Sequence, residues 1–203
     1  MRKTPQQIRR QTIKDLFDKI LKAQQIKLSP FSISVDESFK SDFTNVEMRI
    51  NETSGGVQGS AFTLSEDKAK GFVDGMFVAC HNHYASKYPS LKNIRLVDYQ
   101  VVPRIKRASG KMGTDAETEV NISIEVKEHG VAEFSCVSRS ILHSSFIVTL
   151  EAIEFYINCE KAFHKIQLVL DDANHRNRGD ITQSCISDLS KLTEVNTYER
   201  KKD

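Results

Sequence analysis

The sequence has no long apolar run and no strong net charge, and each absence argues against a class of protein. No window approaches about 18 uncharged apolar residues, so we expect neither a membrane-spanning helix nor a membrane partner. The first residues lead into polar sequence rather than into the apolar core of a signal peptide, and we therefore expect a cytoplasmic protein. A formal net charge of +2 gives no reason to expect a nucleic-acid partner.

The sequence also lacks paired cysteines and metal-ligand motifs. Its four cysteines lie far apart without a CxxC pair, which argues against a zinc ribbon and a dense disulfide framework and predicts reduced thiols. His81 and His83 are two residues apart, and on a helix such side chains point about 200° away from each other. We therefore expect no metal and no other cofactor.

What is present is an ordinary globular composition with clear periodicity. The chain has 203 residues, of which 39% are hydrophobic and 28% charged. A chain of this length forms one or two domains and buries roughly 70% of the surface of its unfolded state. The sequence therefore has enough apolar material for a substantial core.

The N-terminal part combines one amphipathic helix with strands and a second helix. Apolar residues recur at helical spacing over about residues 5–25, which predicts a helix whose apolar stripe needs a partner. After Pro30 the period changes to two, which predicts a strand with Phe31, Ile33 and Val35 on one face. The same alternation predicts another strand around Val46, Met48 and Ile50. The segment TSGGVQG then predicts a turn before a third strand that ends near Thr63. Helical spacing resumes at Ala69 and continues to the segment YPSLK.

The same order of elements then repeats. A strand begins at Leu96, a second alternates between Val120 and Val126, and a third covers residues 131–137. A long helix follows from about Ser140. Corresponding positions lie about 60 to 75 residues apart, which indicates a weak internal duplication of a strand-strand-strand-helix unit. Three strands offer too little core on their own, so we expect the two units to bury their helices against each other's sheets.

Three segments carry a resemblance to a known family: YPSLKNIRLVDYQVVP, GTDAETEVNISIEV and VSRSILHSSFIVTLEAIEFY. In order and spacing they resemble the C-terminal regulatory domain of the 2-isopropylmalate synthase and citramalate synthase family. The family's G-N-G-P-V-N/D-A-L segment aligns with residues 69–76, and the resemblance covers about residues 31–165. The chain departs from the pattern where Ala69-Lys70 replaces glycine-asparagine, Phe72 replaces proline, and Ser144-Ser145 replaces alanine-serine. Larger side chains at these positions narrow the pocket that the family implies.

The resemblance implies an α+β fold of two βββα units related by a pseudo-twofold axis, with long helices packed on antiparallel sheets. We assign residues 1–28 to the additional N-terminal helix and residues 29–170 to the regulatory-type domain. Its two repeats cover about residues 31–92 and 93–170. Residues 171–203 form a polar tail, in which the spacing is compatible with one short helix from about Asp180 to Thr193.

The function that the resemblance implies is feedback regulation rather than catalysis. Domains of this family bind a branched-chain amino acid, leucine or isoleucine, between the two units, and they dimerise. Family members carry the condensation chemistry on a separate (β/α)8 barrel of typically ~250 residues, for which this chain has no room. We therefore expect no catalytic residues here, a homodimer, and a separate synthase barrel as a further partner. The chain is then either a detached regulatory part or a free-standing homologue.

The resemblance also names an effector-binding set. It comprises Ala69, Lys70, Val73 and Asp74 at the first long helix, Leu96, Tyr99 and Pro103 on the following strand, and Gly113, Asp115, Ala116 and Thr118 around the GTDA turn. A helix start suits the effector's carboxylate, and Asp74 or Asp115 suits its ammonium group. Gly113 permits the turn, and Ala116 allows the ligand to approach.

A second function class stays open at this stage. A long helix against a curved sheet is also typical of small thioesterase-like enzymes. In that reading Asp115 acts as a general base, whereas its more ordinary role is to fix the turn through its own backbone.

Overall fold

The computed structural model describes residues 4–40, 42–59, 61–104 and 117–199. These residues form an α+β fold with the predicted N-terminal helix. The helices are α1 (Pro5–Ile20), α2 (Phe72–Ala85), α3 (Ile141–His175) and α4 (Gly179–Thr193). The strands are β1 (Lys27–Ser38), β2 (Phe43–Ser54), β3 (Val57–Gln58), β4 (Phe62–Ala69), β5 (Ile94–Arg104), β6 (Glu117–Val126) and β7 (Gly130–Ser138).

The strands form two antiparallel sheets, each followed in the chain by a long helix. In the first sheet β2 is central, with β1 on one side and β4 and the two-residue β3 on the other. In the second sheet the order is β5-β6-β7. The expected repeat of strands followed by a helix is therefore confirmed, and β3 is an addition to the first unit.

The central strands follow the alternation that the sequence predicts. Val46, Met48 and Ile50 of β2 are buried and alternate with exposed residues. Val120, Ile122, Ile124 and Val126 of β6 are also buried, and they alternate with half-buried residues. The buried faces of both sheets belong to one core cluster that also includes α3. The two units thus share a single core, as expected for sheets that are too small to stand alone.

Each sheet begins with a strand that carries a bulge. The register shifts between Pro30 and Ser32 on β1 and between Leu96 and Asp98 on β5. The displaced residues, Phe31 and Val97, are 58% and 44% exposed. The prediction that Phe31 shares a face with Ile33 and Val35 is therefore wrong, because the extra residue turns the Phe31 side chain to the solvent side. A bulge on the first strand of both sheets agrees with an internal duplication.

Helix α3 holds the connecting segment through one buried and one half-buried polar side chain. Asn158 accepts a hydrogen bond from the Ile26 N–H (2.9 Å) and donates one to the Ile26 carbonyl (2.8 Å). Glu154 accepts from the Leu28 N–H at 2.8 Å, and burial raises its pKa. Since backbone groups that leave water need partners, α3 fixes the path of the chain between α1 and the first sheet.

Several predicted boundaries move in the structure. Strand β4 continues to Ala69, which pairs with Thr44, so the strand does not end near Thr63 and the helix begins only at Phe72. Helix α1 ends at Ile20 and is followed by a short 3-10 turn, whereas helical spacing extended to residue 25. Helix α3 extends past the predicted boundary at residue 170 to His175.

The C-terminal residues up to 199 pack on the domain. The short helix predicted at about 180–193 is α4, which contacts α3 and α1. Its buried Asp188 accepts hydrogen bonds from Lys19 (2.6 Å) and Lys191 (2.9 Å). Beyond it, Asn196 donates to the Ser90 carbonyl at 3.0 Å. Within the described residues, no helix is long and apolar enough to cross a lipid bilayer.

Candidate functional site

The candidate site is a junction at Tyr99, where α2, β5 and α3 meet. Tyr99 and Leu96 lie opposite Ile122 and Ile124 of β6, which both face the core. The bulge between Leu96 and Asp98 explains how two residues three positions apart share one face. Both side chains are partly buried against the core cluster, so β5 presents them on its inner side.

The start of α2 is the first wall of the junction. The Phe72 ring meets the Tyr99 ring edge-on, with centroids 6.1 Å apart and an interplanar angle of 83°. Val73 is buried in the core, and Asp74 lies half-buried in the first turn. The N-cap residue is Gly71, which has no side chain that could cap this helix start. The first N–H groups of α2 therefore receive no hydrogen bond from the N-cap side chain, and they lie beside an aromatic pair.

The start of α3 is the second wall. The Tyr99 hydroxyl and the Ser145 Oγ are 3.1 Å apart in a hydrogen bond, and Ser145 also donates to the Ile141 carbonyl at 2.7 Å. Its neighbour Ser144 is buried and lies 2.7 Å from the Ser138 Oγ. Here the N-cap is Ser140, whose side chain accepts from the His143 N–H. The serines near this helix start thus serve capping and packing.

The structure places the remaining predicted site residues in different surroundings. Ala69 is buried at the end of β4, whereas Lys70 is exposed just after it. Pro103 is exposed near the end of β5, opposite the half-buried Thr118. The structure brings Tyr99 into contact with Phe72 at the start of α2, whereas Lys70 and Pro103 are exposed. Gly113, Asp115 and Ala116, and with them the GTDA turn, lie outside the described residues.

Two residues of the junction were not in the predicted set. Phe72 and Ser145 were noted only as departures from the family pattern, yet they make the direct contacts to Tyr99. The sequence contains one clue to both residues. Each lies near the predicted start of a long helix, and the two repeats place these helix starts at equivalent points. Side-chain contacts between the repeats are not visible in a single sequence.

His81 and His83 have separate partners. His81 Nε2 lies 3.0 Å from the Leu91 carbonyl, whereas the His83 ring stacks on Phe62. Among the residues that the structure describes, no group of three or more histidine, cysteine or acidic side chains is arranged to hold a metal ion.

The four cysteines are free and mostly buried. Burial raises the pKa of Cys80 to about 12 and raises that of Cys159 further, so both thiols stay protonated at neutral pH. For the half-buried Cys136, burial raises the pKa more than its hydrogen bond to Ser144 lowers it. Because the thiolate is the reactive form, none of these three groups is prepared for nucleophilic chemistry.

Two cavities lie away from the Tyr99 junction. The first, of about 350 Å³, lies between α1, the start of β7, α3 and the segment after α4. The second, of about 530 Å³, lies between α1, α3 and α4 and is lined partly by lysines and acidic residues. Neither is lined by Tyr99, Phe72 or Ser145.

Comparison with known proteins does not assign this chain to a family. No model of a protein family matches it, and no curated protein matches its sequence.

Proposed function

We propose that the chain is a non-catalytic regulatory domain that binds a branched-chain amino acid, leucine or isoleucine, at the Tyr99 junction. The observation that carries this proposal is the convergence of both helix starts on one tyrosine. Phe72 at the start of α2 contacts the Tyr99 ring, and Ser145 near the start of α3 bonds its hydroxyl. A ligand at this point contacts both repeated units at once.

The chemistry of the junction suits a zwitterion with an aliphatic tail. The uncapped start of α2 offers backbone N–H groups and the positive end of a helix dipole to a carboxylate. Asp74 in the first turn provides a negative group for the ammonium. Leu96 and the two aromatic rings provide apolar surface, and burying one aliphatic side chain contributes about 1.5–3 kcal/mol. The Phe72 ring occupies part of this space, so the effector packs beside it.

Regulation follows if the effector binds one arrangement of the two units better than another. The Tyr99–Ser145 hydrogen bond and the Phe72–Tyr99 contact are direct links between α3, β5 and α2. A ligand at the junction strengthens one relative position of these elements. A coupling free energy of ~1–3 kcal/mol gives useful inhibition of a partner.

A second copy of the chain and a separate synthase barrel are the partners in this proposal. On the second sheet Val102 and Val137 both lie opposite Glu119, on the face turned away from the core, and are 44% and 37% exposed. On the same sheet, the side chains of Val97 and Val131 are 44% and 45% exposed. Half-exposed apolar side chains on one sheet suit a homodimer contact, which light scattering coupled to size-exclusion chromatography tests directly.

Calorimetric titration tests the binding proposal. We expect saturable heat with L-leucine or L-isoleucine and a strong loss of affinity in Tyr99→Ala. L-Leucinamide, which lacks the carboxylate, should bind more weakly than L-leucine because it leaves the start of α2 without an anion. Absence of heat for every branched-chain amino acid and 2-keto acid at millimolar concentration contradicts the proposal. Turnover of a thioester by the chain would favour the thioesterase-like class instead.

A further inference from the structure

The cavity of about 350 Å³ beside α1 has a half-buried cation at its wall. Arg10 lines this cavity together with Gln6, Ile13, Ala132 and Phe134. Its guanidinium lies 4.8 Å from the centroid of the Phe134 ring. Its Nη1 donates to the backbone carbonyl of Glu133 at 2.7 Å.

In the part of the chain that the structure describes, Arg10 forms no ion pair with a carboxylate. Within residues 4–40, 42–59, 61–104 and 117–199, no acidic oxygen lies within 4.0 Å of its guanidinium, and its one hydrogen bond goes to a neutral carbonyl. Burial lowers its pKa, while the more distant Glu151 raises it. A cation that is partly removed from water is ordinarily paired, so Arg10 is a site at which an anion gains a strong partner.

Glu133 and Glu194, which line the cavity, do not form an ion pair with Arg10. By strand alternation the Glu133 side chain lies on the face of β7 opposite to the buried Phe134, and it is exposed. Glu194 is bound to the neighbouring Arg9, at 3.1 Å between Oε2 and Nη2. Among the described residues that line the cavity, Arg10 is therefore a cation without a direct carboxylate partner, on which Glu151 acts only at longer range.

The rest of the wall is mainly apolar. Its apolar part includes Ile13, Val126, Ala132, Phe134, Phe155 and Val195, and its polar part includes Gln6, Arg9, His129, Tyr156 and Glu194. Sites for small molecules typically enclose about 300–1,000 Å³ and combine apolar walls with few polar groups that orient the ligand. The volume and the lining of this cavity agree with that description.

We propose that this cavity binds a small carboxylate with an apolar tail, with Arg10 holding the carboxylate and the apolar walls holding the tail. This site is separate from the Tyr99 junction, which α2, β5 and α3 form. It requires the N-terminal helix, because Arg10 and Ile13 belong to α1. The proposal does not rest on the regulatory function.

The test uses phenylacetate and its neutral analogue phenylacetamide as probes on the full chain. Titration of ¹⁵N-labelled protein should shift the amide signals of Val131, Ala132 and Phe134, and phenylacetate should bind at least about tenfold more tightly than the amide. The Arg10→Gln variant should abolish this preference. Arg95→Gln, which removes an exposed cation from β5, should leave it unchanged.

A second variant separates loss of binding from loss of folding. Ala132→Leu keeps Arg10 but fills the cavity with apolar atoms, so it should abolish phenylacetate binding while the protein stays folded. Equal binding of acid and amide by the wild type, or unchanged phenylacetate affinity in Arg10→Gln, overturns the proposal. Shifts confined to Phe72–Asp74 would place the anion at the Tyr99 junction and would also overturn it.

Discussion

The two strand-helix units have the same order of elements, but their helices begin differently. Helix α3 begins at Ser140, whose side chain accepts a hydrogen bond from the His143 N–H. Helix α2 begins at Gly71, which has no side chain to act as an N-cap. The first arrangement stabilises a helix end, whereas the second leaves backbone donors for another partner. The difference gives the second unit a stabilising cap, and it supports our proposal that an effector binds at the start of α2.

The lengths of the helices support the same distinction. Helix α2 has 14 residues and contacts mainly its own sheet, whereas α3 has 35 residues and contacts both sheets and all three other helices. Buried polar groups on α3 also bind backbone outside its own unit. Mutations in the second unit should therefore affect stability more than comparable mutations in the first.

The largest expected loss in the free energy of unfolding follows a substitution of Asn158. Asn158→Ala leaves both backbone groups of Ile26 buried without a partner, and we expect a loss of about 2–4 kcal/mol in the free energy of unfolding. Asn45→Ala in the first unit is the matched control, because the Asn45 side chain accepts a hydrogen bond from the exposed Lys68 N–H. Urea denaturation measures both. Equal losses would contradict the assignment of stability to α3.

The next largest expected loss of stability is at Gly75, where α2 packs on its sheet. A Cβ at Gly75 would lie 2.8 Å from the Val46 Cγ2 and 3.0 Å from the Ala69 Cβ. We expect Gly75→Ala to cost about 1–2 kcal/mol, because overpacking outweighs the better helix propensity of alanine. Thermal unfolding measures the change. Gly179→Ala at the first position of α4, where the added Cβ meets no atom of the described residues within 4 Å, should be neutral or slightly stabilising, and a similar loss there would contradict this account.

The anchoring of α4 should depend on pH. Burial raises the pKa of Asp188, but its hydrogen bonds to Lys19 and Lys191 outweigh burial and hold the pKa below its usual range. The ionised group therefore stabilises the fold above the unfolded-state pKa of about 3.9, and this contribution is lost as the pH falls through the lower folded-state pKa.

Asp188→Asn should cost about 1 kcal/mol at pH 7, because both lysines are partly exposed, and the difference from wild type should shrink below pH ~4. Stability measured by urea denaturation across pH 3–8 checks this. Asp172→Asn removes an exposed pair with Arg176 and serves as the control, with an expected change within about 0.5 kcal/mol. A difference that grows as the pH falls would contradict the prediction.

The smallest expected change in stability, at Gly71, should be accompanied by a loss of leucine affinity. Gly71→Ser supplies α2 with the kind of cap that Ser140 gives α3, and we expect a gain of only a few tenths of a kcal/mol. The new hydroxyl occupies a backbone N–H that the proposed effector uses, so leucine affinity should fall. Calorimetry and denaturation measure the two changes separately. Unchanged affinity would show that the start of α2 does not bind the carboxylate.

The periodicity of the sequence predicted the order of helices and strands, because apolar alternation on β2 and β6 reports burial directly. It did not predict the bulges that turn Phe31 and Val97 outward, because one extra residue in a strand does not require a particular residue type. The end of β4 at Ala69 was missed because the polar residues before it resemble a turn. At the site, Tyr99 was predicted from the resemblance. Its contacts to Phe72 and Ser145 depend on tertiary packing that one sequence does not encode locally.

The most direct test is to titrate L-leucine, and in parallel L-isoleucine, into ¹⁵N-labelled protein and follow the backbone amides. The proposal predicts saturable shifts at Phe72, Val73 and Asp74, accompanied by shifts at Tyr99 and Ser145. It also predicts that Gly71→Ser weakens them. Shifts confined to the Arg10 cavity, or no shifts with either amino acid at millimolar concentration, would contradict an effector site at the Tyr99 junction.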